Sequence, residues 1–127
     1  MLFSTKYWMH WLKDKVRHKF AYAFCGLLNG IRHDSSIALQ FILGLITILV
    51  CLFFSLSALE WCLILLMIFL VITAEFINSA IEKTVDYISL ERHPQAKAIK
   101  DLSAAAVLLI SICAFCIAVI ILGGKLL

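Results

Sequence analysis

Three stretches of this chain, residues 35–59, 61–74 and 102–124, contain no Asp, Glu, Lys or Arg. An ionised side chain at the centre of a membrane helix costs about 2.5 to 3.5 kcal/mol on insertion scales, so hydrocarbon selects charge-free runs of this kind. A bilayer core about 30 Å thick is crossed by roughly 20 helical residues. The runs therefore predict three transmembrane helices, near residues 37–56, 61–81 and 102–122. Composition agrees, because 64% of the 127 residues are hydrophobic, 15% are charged, and the mean hydropathy is +1.04. Soluble domains do not reach such values. The expected fold is all-α and integral to a membrane: one domain over residues 1–127, in which an N-terminal amphipathic interfacial helix over 1–33 precedes three spans.

The remaining charge sets the orientation. Six cations (Lys6, Lys13, Lys15, Arg17, Lys19, Arg32) precede the first span, none separates spans one and two, four (Lys83, Arg92, Lys97, Lys100) separate spans two and three, and Lys125 follows. The positive-inside rule places the N-terminus in the cytoplasm and the C-terminus outside. Trp8, Trp11, Phe20, Tyr22 and Phe24 stand among the first cations, as suits a helix lying in the headgroup layer. That segment has neither an uninterrupted apolar core nor a small-residue cleavage site, so it is expected to be retained and not removed as a signal peptide.

Gly30 and the run Arg32-His33-Asp34-Ser35-Ser36 mark a break, with Asp34 or Ser35 as N-cap of the first span. The connection from Ser55 to Glu60 is short enough to force an antiparallel hairpin. Pro94 fits the first turn of a helix, where its missing N–H costs nothing. Cys25, Cys51, Cys62, Cys113 and Cys116 sit mostly in apolar runs and read as small packing side chains, not disulfides. Because the cations flank membrane spans and no soluble core remains, nucleic-acid binding and a soluble enzyme are excluded.

The end of the second span carries the chemistry. At 100° per residue, Glu75, Asn78, Ser79, Glu82 and Asp86 point near about 0°, 300°, 40°, 340° and 20°, so five polar groups share one helical face. Phe76, Ile77, Ile81 and Val85 are expected to face elsewhere. The stripe runs about 16 Å along the axis, which carries it from inside the hydrocarbon to the cytoplasmic surface. Carboxylates on an apolar rim repel one another unless a cation is present, and hard oxygen ligands suit Mg²⁺. Beyond the stripe, Lys97, Lys100 and Asp101 share a face at i, i+3 and i+4. Carboxylates for a metal and a lysine for phosphate are the minimum equipment of phosphoryl transfer.

Two plainer accounts stand beside this one. Glu75 and Asn78 could hydrogen-bond neighbouring helices, or Glu75 could line a proton path in a non-enzymatic membrane oligomer. Neither needs the cytoplasmic set of Glu82, Asp86, Lys100 and Asp101. Lys97 and Asp101 taken alone also fit a surface ion pair. No G-x-x-x-x-G-K-[ST] loop or G-x-G-x-x-G run occurs, so general motifs do not yield a nucleotide site.

The segment Glu75-Phe76-Ile77-Asn78-Ser79-Ala80-Ile81-Glu82, with Asp86 beyond it, is followed by His93-Pro94, Ala96-Lys97, Lys100-Asp101 and Ala104-Ala105-Ala106-Val107. In this pattern the chain, from about Phe20 onward, resembles the small prokaryotic diacylglycerol kinase and undecaprenol kinase family. The resemblance implies a homotrimer in the bacterial inner membrane that uses Mg²⁺ and ATP to phosphorylate a membrane lipid alcohol. It implies that Glu75 is the catalytic base and touches the lipid substrate; withdrawn from bulk water, a carboxylate is a stronger base than a solvated one. Glu82 and Asp34 would hold the metal and through it the nucleotide, Lys100 and Asp101 would bind nucleotide, and Asn78 would contact both nucleotide and lipid.

Two departures stand out. The family usually has Glu where this chain has Asp34, one methylene shorter. Gln40 occupies a position that is often acidic or His. The His93-Pro94 start looks more like the undecaprenol branch.

Overall fold

The computed structural model describes residues 4–89 and 91–127, and forms four helices: α1 (Thr5–His33), α2 (Ser35–Cys51), α3 (Ala58–Ile88) and α4 (Pro94–Leu126). Among the described residues there is no strand, and the protein is an all-α membrane protein. The chain divides into two compact units, an N-terminal one ending at Ser35 and a second over Ser36–Leu127.

The N-terminal unit is α1, which begins after Ser4 and is helical over most of the segment 1–33; residues 1–3 of that segment lie outside the described residues. Its aromatic and charged side chains form local clusters. Trp8 and Trp11 meet edge to face at 5.5 Å, and Lys15 Nζ lies 4.4 Å above the Trp11 ring. Asp14 stands 3.2 Å from His10 Nδ1 and 3.9 Å from Arg17. The expected break falls within the run Arg32 to Ser36 and not at Gly30, which is buried inside the helix. Asp34 alone interrupts the backbone, with φ −121° and ψ 111°, and its N–H donates to Gly30 O at 3.0 Å.

In the second unit α3 and α4 pack along most of their length. Buried or half-buried positions on α3 (Ile64, Met67, Val71, Glu75) and on α4 (Val107, Ile110, Ala114, Ile117) recur at spacings of three or four. That spacing is the seam of a coiled-coil-like pair. α2 buries Ile37, Gly44 and Cys51, one residue every seven, so a single narrow stripe of it faces inward. Gly44 has a steric reason to be glycine, because a Cβ there would lie 2.9 Å from Ile68 Cγ2.

α3 and α4 are each long and apolar enough to cross a membrane. α2 has 17 residues, reaches about 25 Å, and stands at the lower limit for a span. The helix that covers the first expected span ends at Cys51, short of residue 56. The chain tightens there: Phe53 N–H donates to Val50 O and Phe54 N–H to Cys51 O, each at 3.1 Å and three residues back. Such bonds close a helix end. Hydropathy could not mark this point, since Leu52, Phe53 and Phe54 are as apolar as the helix before them.

The reversal must finish before Ser57, whose Oγ caps α3 by accepting from Glu60 N–H at 3.2 Å. Glu60 in turn lies 3.2 Å from Lys125 Nζ near the end of α4, which ties the two helices together at this end. At the opposite end Pro94 occupies the first turn of α4, as expected, and His93 Nδ1 caps it by accepting from Gln95 N–H at 3.1 Å.

Candidate active site

The stripe on α3 grades from dry to wet. Glu75 and Ser79 are 8% and 5% exposed, Asn78 and Glu82 are half-buried, and Asp86 is exposed. The order follows from the helix itself, because α3 continues beyond its apolar run and carries the same face out toward water. Val85, expected to face elsewhere, is buried, and Phe76 is half-buried with its ring edge to face against Phe41 of α2 at 6.5 Å. Angles on one helix locate a stripe but not its neighbours, and α2 and α4 cover more of α3 than the polar face alone.

Each polar group acquires a defined setting. Gln40 Nε2, from α2, donates to Glu75 Oε1 at 3.4 Å. One turn on, Asn78 Nδ2 donates to Glu82 Oε1 at 3.3 Å, while Asn78 Oδ1 is buried and accepts no hydrogen bond from any described residue. A buried acceptor without a donor is costly, by about 1 to 3 kcal/mol. It marks a place where an incoming hydroxyl, water or cation would be stabilised.

Of Lys97, Lys100 and Asp101, only Lys97 and Asp101 pair with each other, the surface ion pair that their spacing allows. Lys100, half-buried, crosses to pair with Asp86 of α3. Asp101 pairs with Lys97 one turn before it, an exposed i, i+4 ion pair. Between the end of α3 and the start of α4 lies a cavity of about 540 Å³, lined by Asp86, Ser89, Arg92, His93, Lys97 and Lys100 among others. Arg92 makes no ion pair among the described residues. Sequence reasoning gave Arg92 and His93 no role at the site, although Pro94 already signalled that a helix starts beside them.

Asp34 belongs to the N-terminal unit as the residue that ends α1. Among the described residues no three His, Cys, Asp or Glu side chains converge on a point as a metal group. Glu82 and Asn78 nevertheless offer hard oxygens, and Mg²⁺ is commonly held by only one or two carboxylates, with phosphate oxygens and water completing its shell. The donor set fits that ion. Taken together, a buried carboxylate, an acidic and amide step, and a cationic cavity at the wet end can accept a proton inside a membrane and hold an anion beside it.

Comparison with known proteins assigns this constellation to a family. The family model described as prokaryotic diacylglycerol kinase matches residues 21–122. A diacylglycerol kinase of Pseudomonas aeruginosa is 34% identical over 92 residues, covering 72% of this chain and 75% of the relative. A diacylglycerol kinase of Haemophilus influenzae is 31% identical, covering 83% and 86%. An undecaprenol kinase of Bacillus subtilis is 41% identical over 80 residues, covering 62% and 65%. The matched region contains the whole polar stripe of α3 and the cationic start of α4, and the chain belongs to the prokaryotic diacylglycerol kinase family.

Proposed function

We propose that this lipid kinase transfers the terminal phosphate of ATP to the hydroxyl of a membrane lipid alcohol, at the cytoplasmic face of a bacterial inner membrane. The observation that carries the proposal is the buried carboxylate of Glu75, joined by a continuous polar face of α3 to the cationic cavity at the start of α4. A lipid hydroxyl can reach a base only where apolar tail and polar machinery meet, and that boundary is where Glu75 gives way to Glu82.

In the proposed reaction Glu75 takes the proton of the lipid hydroxyl as its oxygen attacks the γ-phosphorus. The new O–P bond forms, the bond to the β-phosphate oxygen breaks, and ADP leaves. Asn78, whose Oδ1 has no internal partner, orients the reacting groups. Glu82 would hold Mg²⁺, and the ion would neutralise charge on the phosphates when the nucleotide is bound. Lys100 exchanges the Asp86 carboxylate for phosphate oxygens, Arg92 adds a bidentate donor to the same cavity, and Asp101 flanks the nucleotide.

The cation distribution supports a cytoplasmic N-terminus and an outer C-terminus. A homotrimer accords with α4, which has no buried residue in the single chain and leaves apolar surface for lipid or further copies. As acceptor, the His93-Pro94 start inclines toward undecaprenol over diacylglycerol, although apolar grooves discriminate weakly between lipid tails. The test is to incubate purified protein in detergent micelles with γ-labelled ATP, Mg²⁺ and either undecaprenol or diacylglycerol. Labelled lipid phosphate is expected with at least one acceptor and none without Mg²⁺; failure with both acceptors overturns the proposal.

A further inference from the structure

Gln40 brings an amide to the buried carboxylate from a different helix. Its Nε2 donates to Glu75 Oε1 at 3.4 Å across a sequence separation of 35 residues. Flanking contacts hold this rung in register. One residue further on both helices, Phe41 meets Phe76 edge to face. One turn along α2, the missing side chain of Gly44 lets Ile68 Cγ2 approach to 2.9 Å from where a Cβ would stand. α2 therefore cannot slide along α3 without losing the aromatic contact or colliding at Gly44.

The chemistry of the pair is asymmetric. An amide donates without ever carrying charge, and a carboxylate has two oxygens with about four acceptor sites. Gln40 can thus fix one oxygen of Glu75 without neutralising the carboxylate. A second carboxylate at position 40 would offer no donor when ionised, and an aliphatic residue would offer none at all.

We propose that Gln40 is a positioning residue for phosphoryl transfer, holding Glu75 in the rotamer from which it reaches the lipid hydroxyl; this rests on Glu75 being the base. Gln40 touches neither reacting oxygen nor phosphate in this scheme, so its loss lowers turnover and leaves nucleotide binding alone. Misplacing a reacting group by about 1 Å costs on the order of a hundredfold in rate, which sets the upper end of the effect.

The test uses the full-length protein in lipid–detergent micelles with ATP and the lipid acceptor it phosphorylates. Q40M keeps the length of the side chain and removes the donor; Q40H keeps a ring N–H. Expected for Q40M is a kcat lower by about ten- to a hundredfold, with the KM for ATP unchanged, and for Q40H a kcat restored most of the way to the parent. Q40L, also without a donor, serves if Q40M does not fold by circular dichroism.

Infrared difference spectra against E75Q isolate the Glu75 carboxylate band, which should move in Q40M and return in Q40H. Parent-like kcat in Q40M, equal losses in Q40M and Q40H, a raised KM for ATP at constant kcat, or an unmoved band each overturns the proposal. An E75Q protein that turns over at the parent rate fails differently: it removes Glu75 as base, while the infrared band still reports the Gln40 contact.

Discussion

The two ends of the α3–α4 pair solve the same problem with different chemistry. At one end a single pair, Glu60 with Lys125, joins the helices at 3.2 Å, and both side chains are about two-thirds withdrawn from solvent. Charge is balanced one to one, and Ser57 caps the helix beside it. At the other end three cations, Arg92, Lys97 and Lys100, and two carboxylates, Asp86 and Glu91, line a cavity of about 540 Å³, and among the described residues no ion pair engages Arg92 or Glu91. Balanced charge closes a structure; surplus charge beside a cavity is what a ligand would complete. The contrast separates residues that hold the pair together from residues kept for chemistry.

Substitutions at the two ends should sharpen that contrast. The largest effect is expected for E75Q, which keeps the shape and removes the base: phosphate transfer should fall by about a hundred- to ten-thousandfold, with helicity and melting temperature near those of the parent. Equal turnover would place the base elsewhere. E82Q should weaken apparent Mg²⁺ and ATP affinity together, by about tenfold or more; independent changes would separate the metal from the nucleotide.

Replacing Lys100 by Met should raise the KM for ATP several-fold more than it lowers kcat, read from initial rates across ATP concentrations. D86N at the other side of that pair should be milder, because the phosphates compete with Asp86 for the same ammonium. Smallest of all is K125M at the closed end, expected to cost at most about 1 kcal/mol of stability and to leave turnover unchanged. A large loss of activity in K125M would erase the distinction between the two ends.

Much of this was legible in one dimension. Charge-free runs marked the two helices long enough to cross, α3 and α4, 100° per residue gave the face shared by Glu75, Ser79 and Glu82, and Pro94 gave the start of α4. What periodicity could not supply was partnership between helices. That Lys100 turns to Asp86 and away from Asp101, that Gln40 reaches Glu75, and that Val85 is covered all depend on how distant segments meet. The end of α2 was hidden for another reason: Leu52 to Phe54 look the same to a hydropathy reading whether helical or turning. Arg92 and His93 gained meaning only when the end of α3 and the start of α4 enclosed a cavity.

The shortness of α2 matters for the lipid environment as well. At 31 and 33 residues, α3 and α4 can tilt or protrude to suit bilayers of many thicknesses. As a span, α2, with 17, would have no such slack: lipid would thin around it or its polar flanks would be drawn inward. Because α2 also carries Gln40, acyl-chain length would then bear on the depth at which the amide meets its carboxylate, and the surrounding membrane would become part of the geometry of the enzyme.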